Sequence, residues 1–275
     1  MAEERVAVIT GASGGIGEAL ARELGGRGFR LALAARRPDE LRRVAREAEE
    51  RGAPGALDVQ TDVTQREDVE RLRDATLDRF GRIDVWVNNA GRGISRSVLD
   101  LTDDDVDQIV AVNVRSVLYG IQAIAPYFIE RGTGHIINVS SFLGRVPLVP
   151  MRSMYNAAKA AVNALTANLR MELRTRAPGV HVSLVMPGVV TTDFPRNVIG
   201  AAPGAGERPG GPPGAPATPT APRTQTPEEV ASRMADLIEH PRAELFTNPA
   251  QPDIARRYYQ DIAAFEDEWA GRQAR

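Results

Sequence analysis

The sequence predicts a doubly wound α/β fold: a parallel sheet with helices on both faces. Three observations predict it. Short apolar runs alternate with amphipathic stretches along most of the chain. A glycine-rich turn joins the first apolar run to the first amphipathic one. The length of 275 residues, with 43% apolar and 25% charged residues, suits one large domain with a full core.

Taken in order, Val6–Thr10, Arg30–Ala35, Ala56–Val59, Ile83–Val87, His135–Ser140 and Val180–Met186 read as strands buried on both faces. Helical periodicity fills the intervals, over 15–28, 38–51, 66–80, 103–131 and 153–177. Pro38 suits a first helical position, and Thr102 is placed to cap the acidic first turn at 103–105. The pattern breaks after residue 199. Between Gly200 and Pro222, 13 of 23 residues are glycine or proline, a composition expected to be flexible. A helix capped by Thr226 with Pro227 at its first position, a short strand at Glu244–Phe246 and a helix near 252–270 are expected to finish the chain. The chain therefore divides into a core at 1–195, an insertion at 196–225 and C-terminal helices at 226–275, all within a single domain.

Composition narrows the function. The formal net charge of -2 gives no reason to expect nucleic acid or an anionic membrane as partner. The absence of cysteine excludes disulfides, thiolate metal sites and thiol catalysis. The three histidines are scattered without metal-ligand spacing, so no metal is assigned. No secretory signal is recognised, and no apolar run approaches membrane-spanning length, so the cytoplasm is the expected compartment.

Chemistry concentrates in three places. The turn Thr10–Gly17 places Gly11, Ser13, Gly14, Gly15, Ile16 and Gly17 between a strand and a helix N-terminus, whose free N–H groups suit a pyrophosphate. Arg36 and Arg37 end the second strand, where a carboxylate would favour a free ribose 2′-hydroxyl; guanidiniums there favour a 2′-phosphate, hence NADP(H). The third place is Tyr155 with Lys159. All but one of the 34 basic residues are arginine, and the one lysine stands four residues after a tyrosine. On a helix the two share a face. A neighbouring ammonium would bring the phenol from about 10 towards neutral pH.

With these residues in place, the chain resembles the short-chain dehydrogenase/reductase family in its compact, single-domain, Rossmann-type branch. The resemblance covers about residues 5–195. Thr10–Gly17 is similar to the family's cofactor turn, and Asp62-Val63 to its adenine-contacting pair. Asn88-Asn89-Ala90-Gly91 closes the fourth strand as the family's Asn-Asn-Ala-Gly element does. Asn113 falls where the family keeps its active-site asparagine, and Ser140-Ser141 ends the fifth strand ahead of Tyr155 and Lys159. Pro187-Gly188 with Thr191-Thr192 ends the sixth. The family's Ser-x-x-Gly arrangement, with Gly144, selects Ser141 over Ser140, although the loop to Tyr155 is one residue longer than the family's usual spacing.

The resemblance implies hydride transfer between a nicotinamide and a carbon bearing a hydroxyl or carbonyl. Tyr155 would be the general acid and base, Lys159 would hold the ribose hydroxyls and lower the tyrosine pKa, and Ser141 would bond the substrate oxygen. Asn113 would anchor a water relaying protons, while Val190 and Thr192 would fix the carboxamide. Asn89, Ala90, Gly91, Pro187 and Gly188 complete the implied cofactor contacts. Phe142, Leu143, Val146, Leu148, Met151, Val189 and Phe194 are expected to make the substrate wall mostly apolar, with Arg92 or Arg152 able to pair with an acid. A small, mostly apolar carbonyl or secondary alcohol is thus the expected substrate. The stretch 200–222 is either a lid over it or a surface insertion. Apolar stripes on 103–131 and 153–177 suit a helix bundle between subunits, and the resemblance implies a homodimer or homotetramer. The rival reading, from another class, is a catalytically silent dinucleotide-binding sensor or scaffold with the same fold.

Overall fold

The computed structural model describes residues 4–192, 198–200 and 224–273. Seven parallel strands are Val6–Thr10 (β1), Arg30–Ala35 (β2), Ala56–Gln60 (β3), Val85–Asn88 (β4), Gly134–Val139 (β5), Val180–Met186 (β6) and Glu244–Phe246 (β7). Their order across the sheet is β3-β2-β1-β4-β5-β6-β7, so the direction of winding reverses between β1 and β4. Crevices outside the carboxyl ends of strands at such a reversal are where doubly wound sheets take ligands.

The helices are Gly15–Gly26 (α1), Pro38–Glu50 (α2), Arg66–Phe80 (α3), Asp103–Val110 (α4), Ser116–Arg131 (α5), Ser153–Arg176 (α6), Pro227–Glu239 (α7), Gln251–Gln260 (α8) and Ile262–Gln273 (α9). One face of the sheet packs against α1, α2 and α7 through residues such as Leu20, Leu41, Met234 and Ile238. The other face packs against α3, α5 and α6 through Leu72, Ile124, Phe128, Val162 and Trp86. Because both faces are covered, β1 and β4 are buried along their whole length. Thr102 and Thr226 each form a capping box with an acid three residues on, Asp105 and Glu229, which fixes where α4 and α7 begin.

Two expected elements differ. The helix expected over 103–131 runs through a π turn at Ala111–Arg115, where the Asn113 side chain donates to the Ile109 carbonyl oxygen. Periodicity does not register one extra residue in one turn. The single C-terminal helix expected near 252–270 is two, because the extended Asp261 accepts the Ala264 N–H and starts a new helix.

From Asp103 to Arg131 the chain has a mean hydropathy of 1.3 in its most apolar window, enough in length and composition to cross a membrane. Half of that window is buried inside the fold, where α5 packs on the sheet. The stretch expected at 200–222 lies outside the described residues apart from Gly200, as does Phe194 of the expected substrate wall.

Candidate active site

The site is assembled at the carboxyl ends of β1, β4, β5 and β6. The turn after β1 is stapled to the end of β4. Asn89 Nδ2 donates to the Thr10 carbonyl oxygen at 2.9 Å and to that of Gly11 at 3.3 Å. The Thr10 hydroxyl oxygen accepts from the Asn89 and Ala90 N–H groups. Gly17 is required here: a Cβ would overlap the Gly11 carbonyl oxygen and lie 2.6 Å from Asn89 Nδ2. No side chain caps α1 at Gly14, which leaves its first N–H groups for an external acceptor. A pyrophosphate fits this cradle.

Arg37 donates to the Ser13 carbonyl oxygen at 3.0 Å and to its hydroxyl at 3.1 Å, so one guanidinium lies against the cofactor turn. Arg36 lines a cavity of about 300 Å³ together with Gln60, Thr61, Asp62, Asp68 and Arg71. Asp62 accepts from the Thr64 N–H and hydroxyl, and Val63 packs on the α3 side of the sheet. Arg36, Arg37, Asp62 and Val63 thus come together around the ends of β2 and β3, beside the cradle.

The segment after β6 closes the other side. Phe142 N donates to the Pro187 carbonyl oxygen at 2.9 Å, tying the β6 end to the Ser141 turn. The Thr192 methyl lies 3.3 Å from where a Cβ on Gly15 would stand, so clamp and cradle face each other. The clamp is held from behind by a residue the sequence reading missed. Gln225 exchanges backbone bonds with Val189 and Thr191, and its amide is locked to Thr247. Gln225 is 35 residues past Val190 and has no local signal in the sequence; only the return of the chain onto the sheet brings it there.

Between cradle and clamp stand the four expected chemical groups. Ser141 caps the 3-10 turn Phe142–Gly144, accepting from Leu143 N at 3.1 Å, and hydrogen-bonds the Tyr155 phenol. Ser140 turns away, its hydroxyl within hydrogen-bond distance of Asn163 Oδ1 at 2.6 Å and of the Lys159 carbonyl oxygen at 3.0 Å. Gly144 packs directly on α6, where a Cβ would lie 2.6 Å from the Lys159 carbonyl carbon and 2.8 Å from its Cβ. The turn bearing Ser141 is thereby pressed against the helix bearing Tyr155 and Lys159. Asn113, fully buried, donates to the Arg92 and Ile109 carbonyl oxygens and accepts from Arg92 N. Asn113 Oδ1 and Lys159 Nζ converge on Gly91, lying 3.0 and 3.5 Å from where its Cβ would be.

Two expectations are corrected. The tyrosine pKa is raised rather than lowered. Burial dominates, opposed by the Ser141 hydrogen bond and the Arg152 charge. The Lys159 ammonium is turned to the Val139 carbonyl oxygen, 2.9 Å away, and stands 5.6 Å from the Tyr155 ring centroid. Burial lowers its own pKa to about 8. The apolar wall is also smaller than expected. Phe142, Leu143, Val146 and Leu148 pack with Ala255, Tyr258, Phe265 and Trp269 of α8 and α9. Met151 and Val189, 48% and 55% exposed, remain of the expected lining among the described residues. Loop residues went to the nearer apolar partner, which the C-terminal helices supply.

The chain is similar to known proteins over most of its length. Residues 5–201 match the model of the short chain dehydrogenase family. An uncharacterized oxidoreductase of Staphylococcus epidermidis is 37% identical over 190 residues, 69% of this chain and 80% of that protein. An alcohol dehydrogenase of Thermococcus sibiricus, solved with 5-hydroxy-NADP, has 32% identity and a TM-score of 0.74 over 89% of this chain and 96% of that one. A short-chain dehydrogenase/reductase of Burkholderia phymatum, solved with NAD, has 30% identity and a TM-score of 0.81 over 95% of each chain. The matched span holds the site from Thr10 to Thr192, and the chain belongs to the short-chain dehydrogenase/reductase family.

Proposed function

We propose that the protein is an NADP(H)-dependent oxidoreductase that interconverts a carbonyl and a secondary alcohol on a small molecule. The observation that carries this reading is the Ser141–Tyr155 hydrogen bond, set where Lys159 and Asn113 converge on Gly91. A nicotinamide cofactor held between the Thr10–Gly17 turn and the segment Pro187–Thr192 would supply the hydride chemistry. Tyr155 gives its proton to the substrate oxygen as the carbonyl is reduced, and takes it back when the alcohol is oxidised. Ser141 bonds that oxygen while it carries negative charge. Lys159 and Asn113, buried next to each other at Gly91, form the route by which a proton returns to the phenol.

The preference for NADP(H) rests on this chain's own Arg36 and Arg37 beside the cradle, since the two solved relatives bind different cofactors, 5-hydroxy-NADP in one and NAD in the other. The cytoplasm and a homodimer or homotetramer belong to the same reading. The outer faces of α5 and α6, where Met171 is 62% exposed, are the surfaces for self-association. A panel of ketones and secondary alcohols with NADPH or NADP, followed by absorbance, tests the activity. Turnover that Tyr155→Phe abolishes supports it. Cofactor binding without turnover of any compound means a dinucleotide sensor instead.

A further inference from the structure

Arg152 precedes the first turn of α6, three residues before Tyr155, and its carbonyl oxygen accepts the Asn156 N–H at 2.8 Å. Its side chain is half-buried. Its guanidinium donates to the Ile94 carbonyl oxygen at 3.1 Å, and Ile94 belongs to the apolar cluster that also holds Tyr155, Met154 and Ile109. The other arginines at this mouth have polar partners. Arg96 is paired with the buried Asp105 at 2.9 Å, and Arg92 donates to Gln108 at 3.0 Å. Among the described residues Arg152 meets no carboxylate.

A half-buried guanidinium with no carboxylate partner among the described residues is more favourable once an anion completes it. Burial accordingly draws the Arg152 guanidinium below its ordinary pKa, and the Tyr155 phenol is the group whose negative charge would oppose that. A planar guanidinium accepts a carboxylate through two parallel hydrogen bonds. Its place beside Tyr155 limits where such a carboxylate can be on a substrate whose reacting oxygen meets Tyr155 and Ser141.

We propose that Arg152 binds an anionic group of the substrate, so that the protein's substrates are oxo acids and hydroxy acids with a carboxylate near the reacting carbon. The proposal rests on the carbonyl–alcohol reading above. Met151 and Val189 are left for the apolar remainder of the molecule.

The test uses matched pairs, acetoacetate with methyl acetoacetate and 2-oxobutyrate with its methyl ester, reduced by NADPH. The wild type is expected to favour one of the acids over its ester by at least about tenfold in kcat/KM. Arg152→Gln should erase that preference by lowering kcat/KM on the acid at least about tenfold more than on the ester, and Arg152→Lys should restore part of it. A wild type that favours the esters overturns the proposal. Equal loss on acid and ester, with a shifted pH profile, also overturns it, because Arg152 then acts on Tyr155 alone. If neither pair turns over, thermal shift with NADPH and acetoacetate separates the two claims. Saturable stabilisation that Arg152→Gln removes keeps the anion site and discards the redox reading. No stabilisation discards the anion site.

Discussion

The Lys159 ammonium donates to the Val139 carbonyl oxygen at 2.9 Å, which anchors the chain's one lysine to the last residue of β5. From there it reaches Gly91 and Asn113 rather than lying against the phenol. Only a compact, rotatable cation can serve these directions at once.

Lys159→Arg is therefore expected to remove most of the activity and leave the fold in place. The planar fork is too bulky for a buried position where the ammonium sits 2.9 Å from the Val139 carbonyl oxygen and converges with Asn113 on Gly91. Far-UV circular dichroism should be unchanged while NADPH oxidation falls by about a hundredfold or more. A fully active variant would show that the compact ammonium has no part in the chemistry.

The cofactor preference is expected to follow Arg36. Arg37 is engaged with Ser13, whereas Arg36 faces the cavity beside Asp62. Arg36→Asp should weaken NADPH by about tenfold or more and NADH much less, since a lost guanidinium–phosphate pair is charge-assisted. Titration of both cofactors by fluorescence reads this directly. Equal weakening would place the 2′-phosphate elsewhere.

His135 predicts the protein's acid sensitivity. It is buried on β5, bonded to the Ser183 hydroxyl, and burial with the nearby His181 charge pulls its pKa down to about 3. The unfolded chain takes up that proton near pH 6.5, so below 6.5 the unfolded state binds more protons than the folded one. The stability this neutral histidine permits is complete above about 6.5 and lost as pH falls towards about 3. The slope is roughly 1.4 kcal/mol per pH unit. Denaturant titrations between pH 6.5 and 4 should show a shallower loss in His135→Gln than in the wild type. Parallel curves would mean that His135 is not the group responsible.

Much of this was legible in the sequence because it is local. The bounds of β1, β2, β6 and β7 follow from apolar runs, and the caps Thr102 and Thr226 from residue types at fixed offsets. Tyr155 and Lys159 are four apart on one helix, so their shared face needed no tertiary knowledge. What was not legible depends on who meets whom. The π turn holds an Asn113 buried against Arg92, 21 residues away, the Tyr155 pKa is raised by burial, and Phe142 and Leu148 pack on helices over a hundred residues away. Gln225 pairs with Val190, 35 residues earlier in the chain, a contact that no local pattern announces.

The two serines at the end of β5 separate cleanly in structure, and their variants should separate in kind. Ser141 caps the turn below Tyr155 and bonds its phenol, so Ser141→Ala removes a donor aimed where charge develops. Its kcat should fall about a hundredfold with little change in melting temperature. Ser140 instead bonds the Lys159 carbonyl oxygen and Asn163, both within the interior of the β5–α6 contact. Ser140→Ala removes this tie between the end of β5 and α6, which costs about 0.5–1.5 kcal/mol of stability while most of the activity persists. Thermal melts beside steady-state rates distinguish the outcomes. If Ser140→Ala proved the inactive variant and Ser141→Ala the unstable one, the extra residue in the Ser141–Tyr155 loop would have exchanged the two roles.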